Sequence, residues 1–493
     1  MADLSLPARR FNSYLRRARS DSLVRNSLYL MASTVVTSGL GYVFWVVAAH
    51  TFTSREVGIS GAIISLCLTT ALLTSAGPFA MLIERLPANE GSSAWTATLV
   101  RMCVATALIT ALATAIAVPI LRRSPDYRAF FNGAPTVIIA IVGAAAWTLV
   151  YLLGGAFIAA RRAGRLLLIQ TLVSGIKVIL VFPLAAAGGA GLVYAWVASA
   201  LLGVGLGAAW LVPGMRLGRT PGYRPHRRTE LTTGGRQGSG QQPRHRRPSE
   251  PNTVFAQRLL GQHLTSVGGA VTPLILPVLV VLRLGVTANA YFYITEMLGA
   301  AFFTVSPSVA AAVFAEGVRA HSDLRSVVAK ALRVIMIMLA PPMTVMIVGG
   351  RLVLGLFGAR YAAAGYGLLI LLAIAALPDA VSNVAVAVFR VTHKLKYSTA
   401  LNLGILCVTA AGAWVLMPRF GLEGVGIAWL AAQTLGAIAS LPAYRLMRGR
   451  VTSDARSADR GDESRRSQAD PGIEQLIDLA KMQSLDWFGS SLP

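Results

Sequence analysis

Lys177 is the first residue around which chemistry can be built. The 38 residues after it contain no Asp, Glu, Lys or Arg, and Gln170, Ser174 and Lys177 follow an i, i+4, i+7 spacing. On a helix that spacing draws one polar stripe along an otherwise apolar surface. A lysine ammonium is a compact point charge suited to an anionic partner. The alternatives are a structural ion pair, or a side chain that snorkels its charge to a polar boundary. Arg101 opens another apolar block, where it adds a second positive charge or simply anchors the block. Two carboxylates, Glu296 and Asp379, also stand in apolar surroundings. Asp379, Ser382 and Asn383 share one helical face just after Pro378. A carboxylate at such a break can bind a proton or sodium, or pair structurally with Lys177 or Arg333. His263 and Asn402 read as core polar groups whose hydrogen bonds are met internally.

The elements that must position these residues are long and apolar. Of 493 residues, 55% are apolar and only 13% charged, against about 25% charged in an ordinary soluble domain. Uncharged runs of 29 residues between Arg25 and Arg55, and 32 between Arg128 and Arg161, exceed what a crossing needs, which is about 20 residues. These runs exclude a soluble globular enzyme, and a β-barrel too, because barrels show short alternating segments. The sequence predicts an all-α integral membrane protein with twelve spans, at about 27–50, 57–83, 95–120, 135–160, 166–187, 190–213, 259–282, 288–315, 331–350, 363–389, 397–417 and 424–445. With the N-terminus inside, 34 basic residues fall on inside segments and eight on outside ones. Basic residues collect in cytoplasmic loops, so both termini are expected in the cytoplasm. The net charge of +24 is read as topology and not as nucleic-acid binding. Cys67, Cys103 and Cys407 lie apart in apolar blocks, without the spacing of a zinc site or a disulfide framework. No Walker A, HExxH or GxSxG motif occurs, and no cofactor is expected.

Two segments break the apolar pattern. Residues 215–253 are rich in Arg, Gly and Gln and almost free of apolar side chains, so they cannot bury enough surface to fold. They read as a basic cytoplasmic linker, or as a docking arm for anionic lipids or cytoplasmic glycosyltransferases. The tail 448–493 is polar, with Ile473, Leu476, Ile477 and Ala480 at helical spacing. That spacing marks a short partner-binding or interfacial helix, the alternative being a loose tail.

An internal repeat sets the organisation. GLVYAWVASALLG from Gly191 matches GVGIAWLAAQTLG from Gly424 at six of thirteen positions, including Trp196 and Trp429. The matching pieces are the sixth and twelfth spans. The expected division is therefore a basic tail 1–26, a six-helix lobe 27–214, the linker, and a second six-helix lobe 254–447. Six-helix halves related by an axis along the membrane normal suit a transporter with its site between them.

The stretch 24–63, VRNSLYLMASTVVTSGLGYVFWVVAAHTFTSREVGISGAI, resembles the first hairpin of polysaccharide biosynthesis proteins of the O-antigen flippase type. ERLP at Glu84–Pro87, AYFYI from Ala290 and FAEG from Phe314 add to the likeness, which covers about 25–450 apart from the linker. That superfamily includes the multidrug-and-toxin extruders (MATE) and the lipid II flippases. The resemblance implies a MATE-like pair of bundles that turns over a polyprenyl-pyrophosphate-linked oligosaccharide in a bacterial plasma membrane. Lys177, Arg101, Gln170 and Ser174 are then the expected substrate contacts, and Asp379, Glu296 and Asn383 the expected ion-coupling residues. The rival within transport is an ion-coupled drug antiporter, which favours an acidic or aromatic cavity. The rival outside it is a membrane-embedded glycosyl or acyl transferase, for which the outside loops are too short.

Overall fold

The computed structural model describes residues 22–85, 93–160, 162–216, 252–319, 324–392 and 394–441, and those residues form helices without strands. Hydrocarbon offers no partner to a backbone N–H or C=O, so a spanning segment must satisfy both within itself. The helices are α1 Ser22–Thr51, α2 Ser54–Arg85, α3 Ser93–Leu121, α4 Pro125–Phe130, α5 Ala134–Ala159, α6 Ala163–Leu184 and α7 Gly189–Arg216. They continue as α8 Asn252–Leu284, α9 Val286–Gly299, α10 Phe302–Arg319, α11 Leu324–Gly355, α12 Ala359–Val391 and α13 Leu395–Ala439. Among the described residues, ten helices are long and apolar enough to cross a membrane. The protein is an all-α, multi-pass membrane protein.

Ten becomes twelve through two local features. The expected eighth span, 288–315, is interrupted between Gly299 and Phe302 and forms α9 and α10. The expected eleventh and twelfth spans run together as α13, which doubles back at Gly421 (φ 56°, ψ −134°). Residues 412 and 428 would stand about 24 Å apart in a straight helix. Instead a Cβ added to Gly412 would lie 3.1 Å from the Cβ of Ala428. α13 is thus a helical hairpin, and only glycine adopts its turning conformation without strain.

The described residues fall into two compact units, one ending at Ala290 and one beginning at Tyr291. In the first, α2 and α5 are central: α2 packs on α5 and α8, α5 on α3 and α7, and α6 on α1 and α7. In the second, α12 packs against α10, α11 and α13. The first unit extends beyond the boundary expected at the linker because α8 lies along α2. The start of α9 comes closer still to α2. A Cβ on Gly58 would stand 1.6 Å from the carbonyl oxygen of Val286, and Asn289 Nδ2 donates to the Gly58 carbonyl at 2.7 Å.

The short α4 lies in the gap that the sequence reading left between its third and fourth spans. It buries Tyr127 and Phe131 completely, and Asp126 pairs with Arg55 at 2.9 Å. Burial, with the Asp126 charge beside it, pushes the Tyr127 hydroxyl up, so it stays neutral at physiological pH. Residues 217–251 of the linker, Leu86 and Pro87 of the ERLP stretch, most of the basic N-terminal tail and the helical pattern at 473–480 lie outside the described residues.

Candidate functional site

α6 carries Gln170, Ser174 and Lys177 on one face, and all three line a single cavity of about 240 Å³ in the first unit. The cavity is walled by α1 through Thr37, α5 through Trp147, Leu153 and Phe157, and α7 through Gly203 and Gly207. The polar stripe expected from spacing therefore faces an interior. Lys177 Nζ sits 4.8 Å from the centroid of the Phe44 ring of α1, a cation–π contact. Among the described residues Lys177 makes no ion pair.

The other polar groups around Lys177 are arranged by α1. Ser33 Oγ donates to Gln170 Oε1, which occupies the amide oxygen and leaves the amide N–H groups as donors. Thr37 donates to the Ser33 carbonyl at 2.7 Å. Trp147 Nε1 is buried without a hydrogen-bond partner. The lining thus offers an ammonium and N–H donors and holds no carboxylate. A second cavity of about 290 Å³, near the start of α2, is different in kind. Arg55 lines it together with Glu56 and Asp126, so its charges are mixed.

Arg101 is not part of this site. It is exposed on α3, on the same outward face as Val104, Leu108 and Leu112, and it does not line the cavity. An apolar face of that kind suits lipid contact, so Arg101 sits where an anchoring residue would.

In the second unit, Asp379 and Ser382 are buried and Asn383 half-buried on α12. Ser306 of α10, Asn383 of α12 and Gln433 of α13 face the Asp379 carboxylate. Glu296 is buried on α9, and among the described residues no hydrogen bond or ion pair joins it to Asp379. His263 of α8 packs over Gly77 of α2, with Nδ1 buried and unpartnered. Asn402 is half-buried on α13.

Sequence reasoning missed Phe44, Ser33, Trp147, Ser306 and Gln433, because they reach their sites from helices other than those that carry Lys177 and Asp379. One signal existed for Gln433. In the internal repeat it stands where the first copy has Ala200, a polar residue in a small-residue frame.

No family model matches the sequence, and no curated protein matches it. Solved structures do match in fold. The lipid II flippase MurJ, in an inward closed conformation, aligns with a TM-score of 0.61 at 11% identity, covering 85% of this chain and 87% of that one. A MATE protein in complex with MaL6 aligns with a TM-score of 0.55 at 15% identity, covering 87% and 97%. A MOP superfamily transporter from Pyrococcus furiosus Vc1, described by the reverse polarity of its binding pocket, aligns with a TM-score of 0.50 at 15% identity, covering 87% and 96%. The chain has the fold that MATE transporters and MurJ share, as the resemblance of its opening hairpin implies.

Proposed function

We propose that this protein is a flippase that translocates a lipid-linked oligosaccharide, a polyprenyl-pyrophosphate glycan, across a bacterial plasma membrane for cell-surface polysaccharide biosynthesis. The observation that carries the reading is the Lys177 cavity. It sets one positive charge beside Gln170, Ser174 and Trp147 and holds no acid. Charges at membrane depth are costly and functional by default, and an acid-free cationic pocket selects an anion. The cavity admits a phosphate or pyrophosphate head and is too small for an oligosaccharide, which would lie outside it. One structural neighbour is described by a reverse polarity of its binding pocket that suggests a different function, which supports reading function on this fold from pocket polarity.

In this reading the segments 27–214 and 254–447 act as two lobes, and both termini lie in the cytoplasm. The basic linker and the C-terminal tail face anionic lipids or glycosyltransferases there. Translocation makes and breaks no covalent bond, so the protein works as a transporter and not as an enzyme. The second reading, an ion-coupled drug antiporter, draws on the buried Asp379 of α12. Complementation of a flippase-deficient strain separates the two. Restored surface polysaccharide supports the flippase. Failure to complement, together with proton- or sodium-driven efflux of organic cations, supports the antiporter.

A further inference from the structure

The corner where α3 turns into α4 carries more positive charge than its acids offset. Arg122, Arg123 and Arg128 are all exposed within seven residues. Arg128 Nε donates to the Arg122 carbonyl at 3.2 Å, which folds that guanidinium back to the end of α3. The nearby acids are engaged. Asp126 pairs with Arg55, and Glu56 Oε2 accepts from the Thr53 backbone N–H at 2.9 Å and from its hydroxyl at 2.8 Å. Four arginines, Arg55 included, against two acids leave the corner at +2. Among the described residues Arg122 and Arg123 make no ion pair. The basic-residue count expects this end outside, where Lys and Arg are sparse, and four of the eight outside basic residues stand here.

An uncovered apolar row of α3 runs up to these arginines. Val104, Leu108, Leu112, Ile116 and Ile120 are each 52–65% exposed, while α3 packs on α2 and α5 through its other sides. The exposed Arg101 closes the row at the opposite end. From Arg101 to Leu121 the helix rises about 30 Å, the thickness of a typical hydrocarbon core. The arginines therefore stand at the two headgroup levels, and the row between them faces acyl chains. Guanidinium is weakly hydrated, and its fork of donors matches phosphate oxygens. A soluble phosphate would meet the arginines and leave the row bare. A zwitterionic lipid would cover the row and bring its own cation to a corner already positive. An anionic phospholipid meets both, with its head on the arginines and a chain along the row.

We propose that the α3–α4 corner is a binding site for an anionic phospholipid, its phosphate held by Arg122, Arg123 and Arg128 and one acyl chain lying along the row from Val104 to Ile120. The site does not rest on the lipid-carrier reading, because none of its residues lines the Lys177 cavity.

The experiment uses the full chain in nanodiscs of phosphatidylcholine alone and of phosphatidylcholine mixed equally with phosphatidylglycerol. Hydrogen exchange is read in peptides covering 122–133, so lipid bound at the basic linker or tail does not contribute. The expected result is slower exchange there with phosphatidylglycerol, lost in Arg122→Gln/Arg123→Gln and kept in Arg101→Gln. These side chains are exposed, so the variants keep the fold. When phosphatidylglycerol is titrated into the detergent-solubilised protein and the same peptides are followed, affinity should fall roughly fivefold for each arginine replaced at the corner. Equal exchange in the two nanodiscs would overturn the proposal. So would phosphatidylglycerol protection that survives in the double variant. Slowing by free glycerol phosphate as strong as that by the lipid would make the corner a soluble-anion site and also refute the lipid.

Discussion

At the scale of single residues, the decisive feature of Lys177 is what it lacks. Its Nζ rests over the Phe44 ring and has no acid partner among the described residues. Removing it therefore strands no buried carboxylate. Lys177→Ala should keep normal expression and lose only the cation–π contact, about 0.5–2 kcal/mol, while flipping in vesicles is abolished. Lys177→Arg should retain part of the activity, since charge survives although geometry changes. Full activity of Lys177→Ala would defeat the anion-binding role. A second residue-scale feature was invisible in the sequence. Thr74 and Thr148 both contact Thr110, at 2.6 and 3.0 Å, and Thr70 contacts Thr114 at 3.0 Å, joining α2, α3 and α5. Interhelical hydrogen bonds in membrane proteins contribute modestly, about 0.6 kcal/mol on average and up to roughly 2. Thr110→Val should lower stability by about 1 kcal/mol without changing transport. A double-mutant cycle with Thr148→Val checks that the loss belongs to this pair.

At the scale of elements, α13 is 45 residues of helix folded in half at Gly421, in the gap the sequence leaves between its eleventh and twelfth spans. A side chain there meets the cost of a backbone conformation reserved for glycine, about 1–3 kcal/mol. Gly421→Ala should lower the melting temperature in detergent, whereas Gly404→Ala should not, because a Cβ there meets open space. Equal effects of the two substitutions would remove the hairpin's turn from Gly421. The α9–α10 interruption has a consequence for the site as well. It ends α9 at Gly299 and starts α10 at Phe302, and α10 is the helix that brings Ser306 to Asp379.

At the scale of the whole molecule, topology is the first thing to measure. Reporter fusions at Arg216 and Arg450 should report cytoplasm, and a fusion at Asp126 should report the opposite side. A reversed signal at either cytoplasmic position would refute the twelve-span arrangement. The sequence by itself determined that the protein is helical and crosses a membrane many times, because uncharged runs longer than the hydrocarbon thickness admit little else. It also determined that Gln170, Ser174 and Lys177 share a face, and that Asp379, Ser382 and Asn383 do, because helical periodicity is local. What it did not determine is which helix stands opposite. Spacing along one helix says nothing of Ser33 and Phe44 meeting α6, or of Ser306 and Gln433 meeting Asp379. Nor does composition distinguish the outward face that holds Arg101 from the inward one, since lipid and protein interior are both apolar. Only the packing of α1 on α6, and of α10 and α13 on α12, decided those partners. Side-chain chemistry is written in the chain, whereas its juxtaposition across helices follows from which small faces allow close approach.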